Sequence, residues 1–274
     1  MLGMPPASED RAQQLYLESL IDQITGWNNP RQRLAQAFSR NEFILYQQAI
    51  REIGPSSGPA LVEILVRHQD EEKHLTPPGA FLPILEYHDM MPRLDQWVTT
   101  HAIRWYRENA RQPLRLFINT AVRTMSEPRF AQFVKDQLAA SGLAGDILCF
   151  EVQESELRAH GEAMLPVARA LQSLGCAIAI GSVGRESVSF RALQAMAPNY
   201  VKLDGSLVRE LHRDSVAHAK AQAINRVCQL AGIKTIAELV EQQITLDKLR
   251  EIGVDYGQGF GISRPGPLAD MEQK

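Results

Sequence analysis

Apolar and polar positions along this chain follow two periods. Leu15, Leu20, Ile21 and Ile24 recur at three- and four-residue steps and predict a helix over residues 9–27, broken by Asn28-Asn29-Pro30. A second short helix is predicted over 31–40. From Asn41 onward, apolar runs of strand length alternate with helical stretches. Strands are predicted at 43–47, 60–67, 114–119, 147–152, 177–180, 200–204, 233–238 and 254–259. Helices are predicted at 81–87, 92–109, 127–141, 163–174, 189–196, 215–231 and 245–252, with Gly142, Gly175, Gly232 and Gly253 as stops. Residues 68–78 read as a polar loop.

Strands alternating with helices imply a mainly parallel sheet. Eight such units over about 230 residues fit a closed (β/α)8 barrel, a modified TIM barrel of α/β class, better than an open sheet. The link between the first two strands is too short for a crossover helix, so the first strand is expected to run antiparallel. The division expected is an N-terminal helical extension, 1–40, and a barrel domain, 41–268. The extension reads as a packing appendage or as an arm that binds a partner, with Trp27 as its anchor.

Composition narrows the class. The chain has 274 residues, 45% of them hydrophobic, and a net charge of -3. A large core is affordable, and generic nucleic-acid binding, which shows a basic face, is disfavoured. No apolar run is long enough to span a membrane. Cys149, Cys176 and Cys228 are widely spaced and read as buried thiols, not a disulfide frame or zinc site. The N-terminus lacks the basic start and apolar centre of a signal peptide, so a cytoplasmic protein is expected.

The candidate chemistry lies at the carboxyl ends of the strands, where a barrel places its active site. Those ends carry Gln47, Glu63 with Arg67, Asn119, Glu151, Gly181-Ser182, Lys202 with Asp204, Glu238, and Gln258. Ionised groups there are costly unless paired, hydrated or metal-bound. Glu63, Asn119 and Glu151 offer the hard oxygens that magnesium, manganese or calcium take. Lys202 and Arg67 suit phosphate oxygens, or simply neutralise the carboxylates. The structural alternative for any single member is an ordinary packing role.

In order along the chain stand Tyr46-Gln47, Glu63-Ile64-Leu65-Val66-Arg67, Leu94-Asp95-Gln96-Trp97-Val98, Ile118-Asn119, Phe150-Glu151-Val152-Gln153-Glu154-Ser155, Val201-Lys202-Leu203-Asp204-Gly205-Ser206, Ala237-Glu238-Leu239-Val240-Glu241, Asp255-Tyr256-Gly257-Gln258-Gly259-Phe260 and Ser263-Arg264-Pro265. Over residues 41–267 this series resembles the EAL domain, the bacterial cyclic-di-GMP phosphodiesterase domain. The resemblance implies a modified TIM barrel and two magnesium or manganese ions that activate water. It assigns Glu63, Asn119 and Glu151 to the metal centre, Lys202 to the catalytic water, and Glu238 and Gln258 to the site. Glu154 and Glu241 match supporting acids. Gln47, Leu65, Arg67, Asp95 and Asp204 fall in the segments that hold the nucleotide, Arg67 for a phosphate and Asp95 for a guanine edge. The family also commonly dimerises.

One segment departs. Where the family has Asp-Asp-Phe-Gly-Thr-Gly, this chain has Gly181-Ser182-Val183-Gly184-Arg185-Glu186. Two-metal hydrolysis holds two cations about 4 Å apart, and neither Gly181 nor Ser182 replaces the missing carboxylates. The expectation is therefore a degenerate phosphodiesterase that acts as a cyclic-di-GMP receptor. It needs no cofactor, and at most holds magnesium or manganese weakly at Glu63, Asn119 and Glu151. The alternatives are a protein-interaction regulator, working through the N-terminal helices or the Arg185 loop without nucleotide, and a weak metal-dependent phosphodiesterase.

Overall fold

A computed structural model describes residues 29–53, 58–69, 74–186 and 190–271. The helix predicted over 9–27, Trp27 included, lies outside them. The chain forms two compact units. β1 (Phe43–Glu52) and β2 (Ala60–Gln69) each contribute residues to both.

In the smaller unit, helix α1 (Pro30–Ser39) starts where Asn29 Oδ1 accepts the Gln32 N–H at 3.1 Å and Pro30 fits the first turn. It buries Leu34, Ala37 and Phe38, the i, i+3, i+4 face. Phe38 packs on Phe43 with ring centres 4.7 Å apart, and Phe43 lies 5.7 Å from Phe81 of helix α2 (Pro78–Tyr87). A two-residue strand, β3 (Leu75–Thr76), pairs antiparallel with the end of β2 inside the predicted polar loop. Buried Glu42 takes Arg33 and His68 as partners, His68 Nε2 at 3.2 Å.

The larger unit holds the barrel. Its further strands are β4 (Leu114–Asn119), β5 (Leu148–Gln153), β6 (Ala177–Val183), β7 (Tyr200–Leu203), β8 (Lys234–Ala237) and β9 (Tyr256–Gly257). β2 and β4 to β9 pair in parallel sequence. β1 pairs antiparallel with β9 and also pairs with β2, closing a ring of eight. The expected antiparallel first strand is therefore present. A short β10 (Gly266–Pro267) also pairs antiparallel with β1, at Tyr46 and Gln47. Around the ring run α3 (Met91–Asn109), α4 (Val122–Met125), α5 (Pro128–Ser141), α6 (Glu154–Ser173), α7 (Phe190–Met196), α8 (Gly205–Glu210), α9 (Ser215–Leu230) and α10 (Gln243–Ile252). Helix α6 begins nine residues before the predicted start, taking in the polar stretch 154–162, and runs through Pro166 as expected. No helix among the described residues is long and apolar enough to cross a membrane.

The barrel interior is built in layers, because alternate strand residues face inward. One layer is apolar: Ile50, Leu61, Phe117, Cys149, Ala177, Ala179, Tyr200, Ile236 and Tyr256. Phe117 and Tyr200 meet edge to face at 5.0 Å. The three cysteines are buried and unbridged. Phe117→Ala removes a fully buried ring from this layer and should cost about 3–5 kcal/mol, read as a fall in the urea midpoint.

Candidate functional site

One step of two residues toward the carboxyl ends turns the apolar layer into a polar one. Leu61 is followed by Glu63 on β2, Phe117 by Asn119 on β4, Cys149 by Glu151 on β5, Ala179 by Gly181 on β6 and Tyr200 by Lys202 on β7. Ile236 is followed by Glu238 and Tyr256 by Gln258, while antiparallel β1 contributes Gln48, two residues before Ile50. A cavity of about 300 Å³ opens here, lined by these side chains other than Gly181 and by Leu65, Gln153, Leu239 and Phe260. A wider depression of about 1380 Å³ lies by the starts of β2 and β4, and no site residue expected from the sequence lines it.

Lys202 is the centre of the polar layer. Its ammonium donates to Glu63 Oε2 at 2.8 Å and lies 3.1 Å from Glu151 Oε2 and 3.4 Å from Glu238 Oε1. Glu63 accepts two further hydrogen bonds: Asn119 Nδ2 donates to its Oε1 at 2.8 Å and Gln258 Nε2 to its Oε2 at 2.6 Å. Gln258 Nε2 also donates to Gln48 Oε1 at 3.0 Å, and Gln48 Nε2 to the Ser263 carbonyl at 2.7 Å.

Burial and charge divide the acids. Burial pushes Glu63 upward, but Lys202 and the hydrogen bonds from Lys202, Gln258 and Asn119 outweigh it and hold the carboxyl below its usual range. Burial lifts Glu151 to about 8; Lys202 opposes this and the charges of Glu63 and Glu238 reinforce it. Glu238 is raised by burial, again against Lys202. Lys202 is held well above its usual value: burial disfavours its charge, and the three carboxylates overcome that penalty.

The loop of residues 184–186 is tied down on several sides. Gly184 N–H donates to Glu154 Oε2 at 3.4 Å, as expected for a supporting acid. Lys220 Nζ donates to the Gly184 and Glu186 carbonyls at 2.5 and 2.6 Å. Arg185 Nε donates to Asp204 Oδ2 at 2.9 Å, and Arg158 pairs with Glu186 at 2.6 Å. Among the described residues, no group of three or more His, Cys, Asp or Glu side chains is placed to hold a metal ion.

Glu63, Leu65, Asn119, Glu151, Lys202, Glu238 and Gln258 converge on the cavity as the sequence suggests. Other candidates take different positions. Gln47 has the wrong parity: Gln48, not Gln47, lines the cavity. Asp95 is buried, and its Oδ2 accepts the Ala121 N–H at 3.0 Å and the Thr124 hydroxyl at 2.5 Å at the start of α4. That carboxylate organises a helix terminus and is not offered to a guanine. Asp204 caps α8 through the Ser206 N–H and takes Arg185. Glu241 lines a separate depression beside Ser206 and Arg209. Arg67 belongs to the smaller unit, where its guanidinium donates to the Val66 carbonyl at 2.9 Å. The sequence reading missed Gln48, Gln153, Leu239 and Phe260. Strand parity counted from Ile50 and Cys149 would have found the first two.

A family model described as the EAL domain matches residues 31–265. The cyclic di-GMP phosphodiesterase PdeB of Shewanella oneidensis is 32% identical over 239 residues, covering 86% of this chain and 28% of PdeB. The cyclic di-GMP phosphodiesterase PdeF of Escherichia coli is 31% identical over 271 residues, covering 97% of this chain and 35% of PdeF. The chain thus spans well under half the length of these curated relatives. Among solved structures, the Xanthomonas citri FimX EAL domain in complex with c-diGMP matches with a TM-score of 0.81 at 26% identity, covering 96% of this chain and 99% of that one.

Two outcomes follow from the site's electrostatics. Lys202→Met leaves Glu63, Glu151 and Glu238 without their shared cation. It should cost about 3–5 kcal/mol near neutral pH and less in acid, where the carboxyls protonate, as measured by urea unfolding at several pH values. Burial raises Asp95 from 3.8 to about 7. The folded state then binds this proton more tightly, so its contribution to stability is complete below pH 3.8 and fades as pH rises to about 7. Asp95→Asn should flatten the stability profile across that window.

Proposed function

Because the chain belongs to the EAL-domain family, we propose that its barrel-end cavity binds cyclic-di-GMP and does not hydrolyse it. The observation that carries this reading is the end of β6: positions 181 and 182 bring no carboxylate to the ring, which leaves the Lys202 ammonium as the cation among its acids. Magnesium or manganese is the cofactor the family implies. Glu63, Asn119 and Glu151 have suitable oxygens, but Glu63 already accepts from Asn119, Lys202 and Gln258, and no carboxylate at 181 or 182 joins them. In this reading the donor set does not suit a two-cation centre, and no step runs through one.

The same charges make the cavity tolerable for a dianion. Burial favours the neutral form of Glu151, and Lys202 offsets Glu63. The repulsion that three bare carboxylates would exert on phosphate is thereby reduced. Gln258 Oε1 is a buried acceptor with no hydrogen-bond partner among the described residues. Phe260 and Leu239, 55% and 46% exposed, offer an apolar wall at the mouth, a surface on which a nucleobase can stack.

A second reading, a protein-interaction regulator without nucleotide, draws on the apolar side chains exposed on α9, Val216 at 72% and Leu230 at 73%. One titration separates the readings. Calorimetry with cyclic-di-GMP, first in magnesium and then in EDTA, should give micromolar binding in both buffers, with no linear dinucleotide by chromatography. Absence of heat in both buffers favours the interaction reading. Linear product in magnesium would show the domain to be an enzyme.

A further inference from the structure

Gly181 sits in the inward register of Ala177 and Ala179, and its φ lies outside the left-handed region. Backbone conformation therefore does not require glycine there. Space does. A Cβ on Gly181 would lie 2.4 Å from Glu151 Oε1, 2.9 Å from Gln153 Nε2 and 3.3 Å from Gln153 Oε1. Cβ atoms essentially never approach other heavy atoms within 3.0 Å.

Both obstructing side chains come from β5, and Gln153 is the direct register partner of Gly181. They differ in what else they do. The Glu151 carboxylate also faces Lys202, so it has a position to turn toward. Gln153 is neutral, lines the cavity, and presents its amide nitrogen to the vacated volume. The next position, Ser182, lies at the irregularity in the pairing of β6 with β7, with φ 55. Aspartate is among the residues that tolerate this conformation, so the obstacle to a carboxylate is at 181, not 182.

We propose that Gln153 holds position 181 closed: with the Glu151 carboxylate it fills the volume that a ligand side chain at 181 would need. The capacity for a second cation is then set by residues 153, 181 and 182 together. This rests on the reading of the cluster as one that lacks a two-cation centre.

Two experiments test it, and the first needs no ligand. In a double-mutant cycle, Gly181→Ala should lower the urea midpoint, and Gln153→Ala should recover about half of that loss or more. A loss of the same size in both backgrounds overturns the proposal. In the second, Mn2+ is titrated calorimetrically into G181D/S182D and into G181D/S182D/Q153A. The triple variant should bind at least about tenfold more tightly; equal affinity overturns the proposal. If the charged variants do not fold, the alanine cycle decides alone. Failure of the wild-type protein to bind cyclic-di-GMP would count against the functional reading and leave the alanine cycle intact.

Discussion

Lys202 contacts carboxylates from three other strand ends, Glu63, Glu151 and Glu238, while 2% of its own side chain reaches solvent. Four ionisable groups at the end of a barrel would be prohibitive without one another. The ammonium makes them affordable, and it is covalently part of the fold. An exchangeable cation must be bound from solution; this one is delivered whenever β7 pairs with its neighbours. The cluster also orders the groups around it, since Asn119 and Gln258 donate to the same Glu63 that Lys202 holds.

That arrangement follows from strand pairing. Parallel strands in register place residues two apart on one interior layer after another. An apolar layer with Phe117 and Tyr200 at its centre therefore supports a polar layer directly above it. Gly181 belongs to the polar layer by position but adds nothing to it, and β5 supplies the atoms that fill its place. The loop beyond it is held by Lys220, Arg158 and the Arg185–Asp204 pair. The altered segment is thus integrated into the domain around it.

Much of this was legible in the sequence. Apolar runs of strand length gave all eight barrel strands, and the short first link gave the reversal of β1. Polar residues at the strand ends gave most of the cavity lining. The misses have specific causes. Gln47 and Gln48 are adjacent, and only the parity of the formed strand tells which faces inward. Asp95 stands in a motif that points to a ligand, yet its partners, Ala121 and Thr124, come from a four-residue helix too short to show a period. The start of α6 was obscured because its first turns, residues 154–162, are mostly polar and include Gly161. Two-residue strands such as β3 and β10 carry no pattern at all. The obstruction at Gly181 depends on where two flexible side chains come to rest, which spacing does not encode.

Lys202 acts as the built-in cation of this cluster. The most direct test is a crystal grown in manganese and measured at the manganese edge. No anomalous peak is expected within ligand distance of Glu63, Asn119 and Glu151, with the Lys202 ammonium in density among the carboxylates. Two peaks about 4 Å apart between those residues, with Lys202 displaced from Glu63, would contradict it.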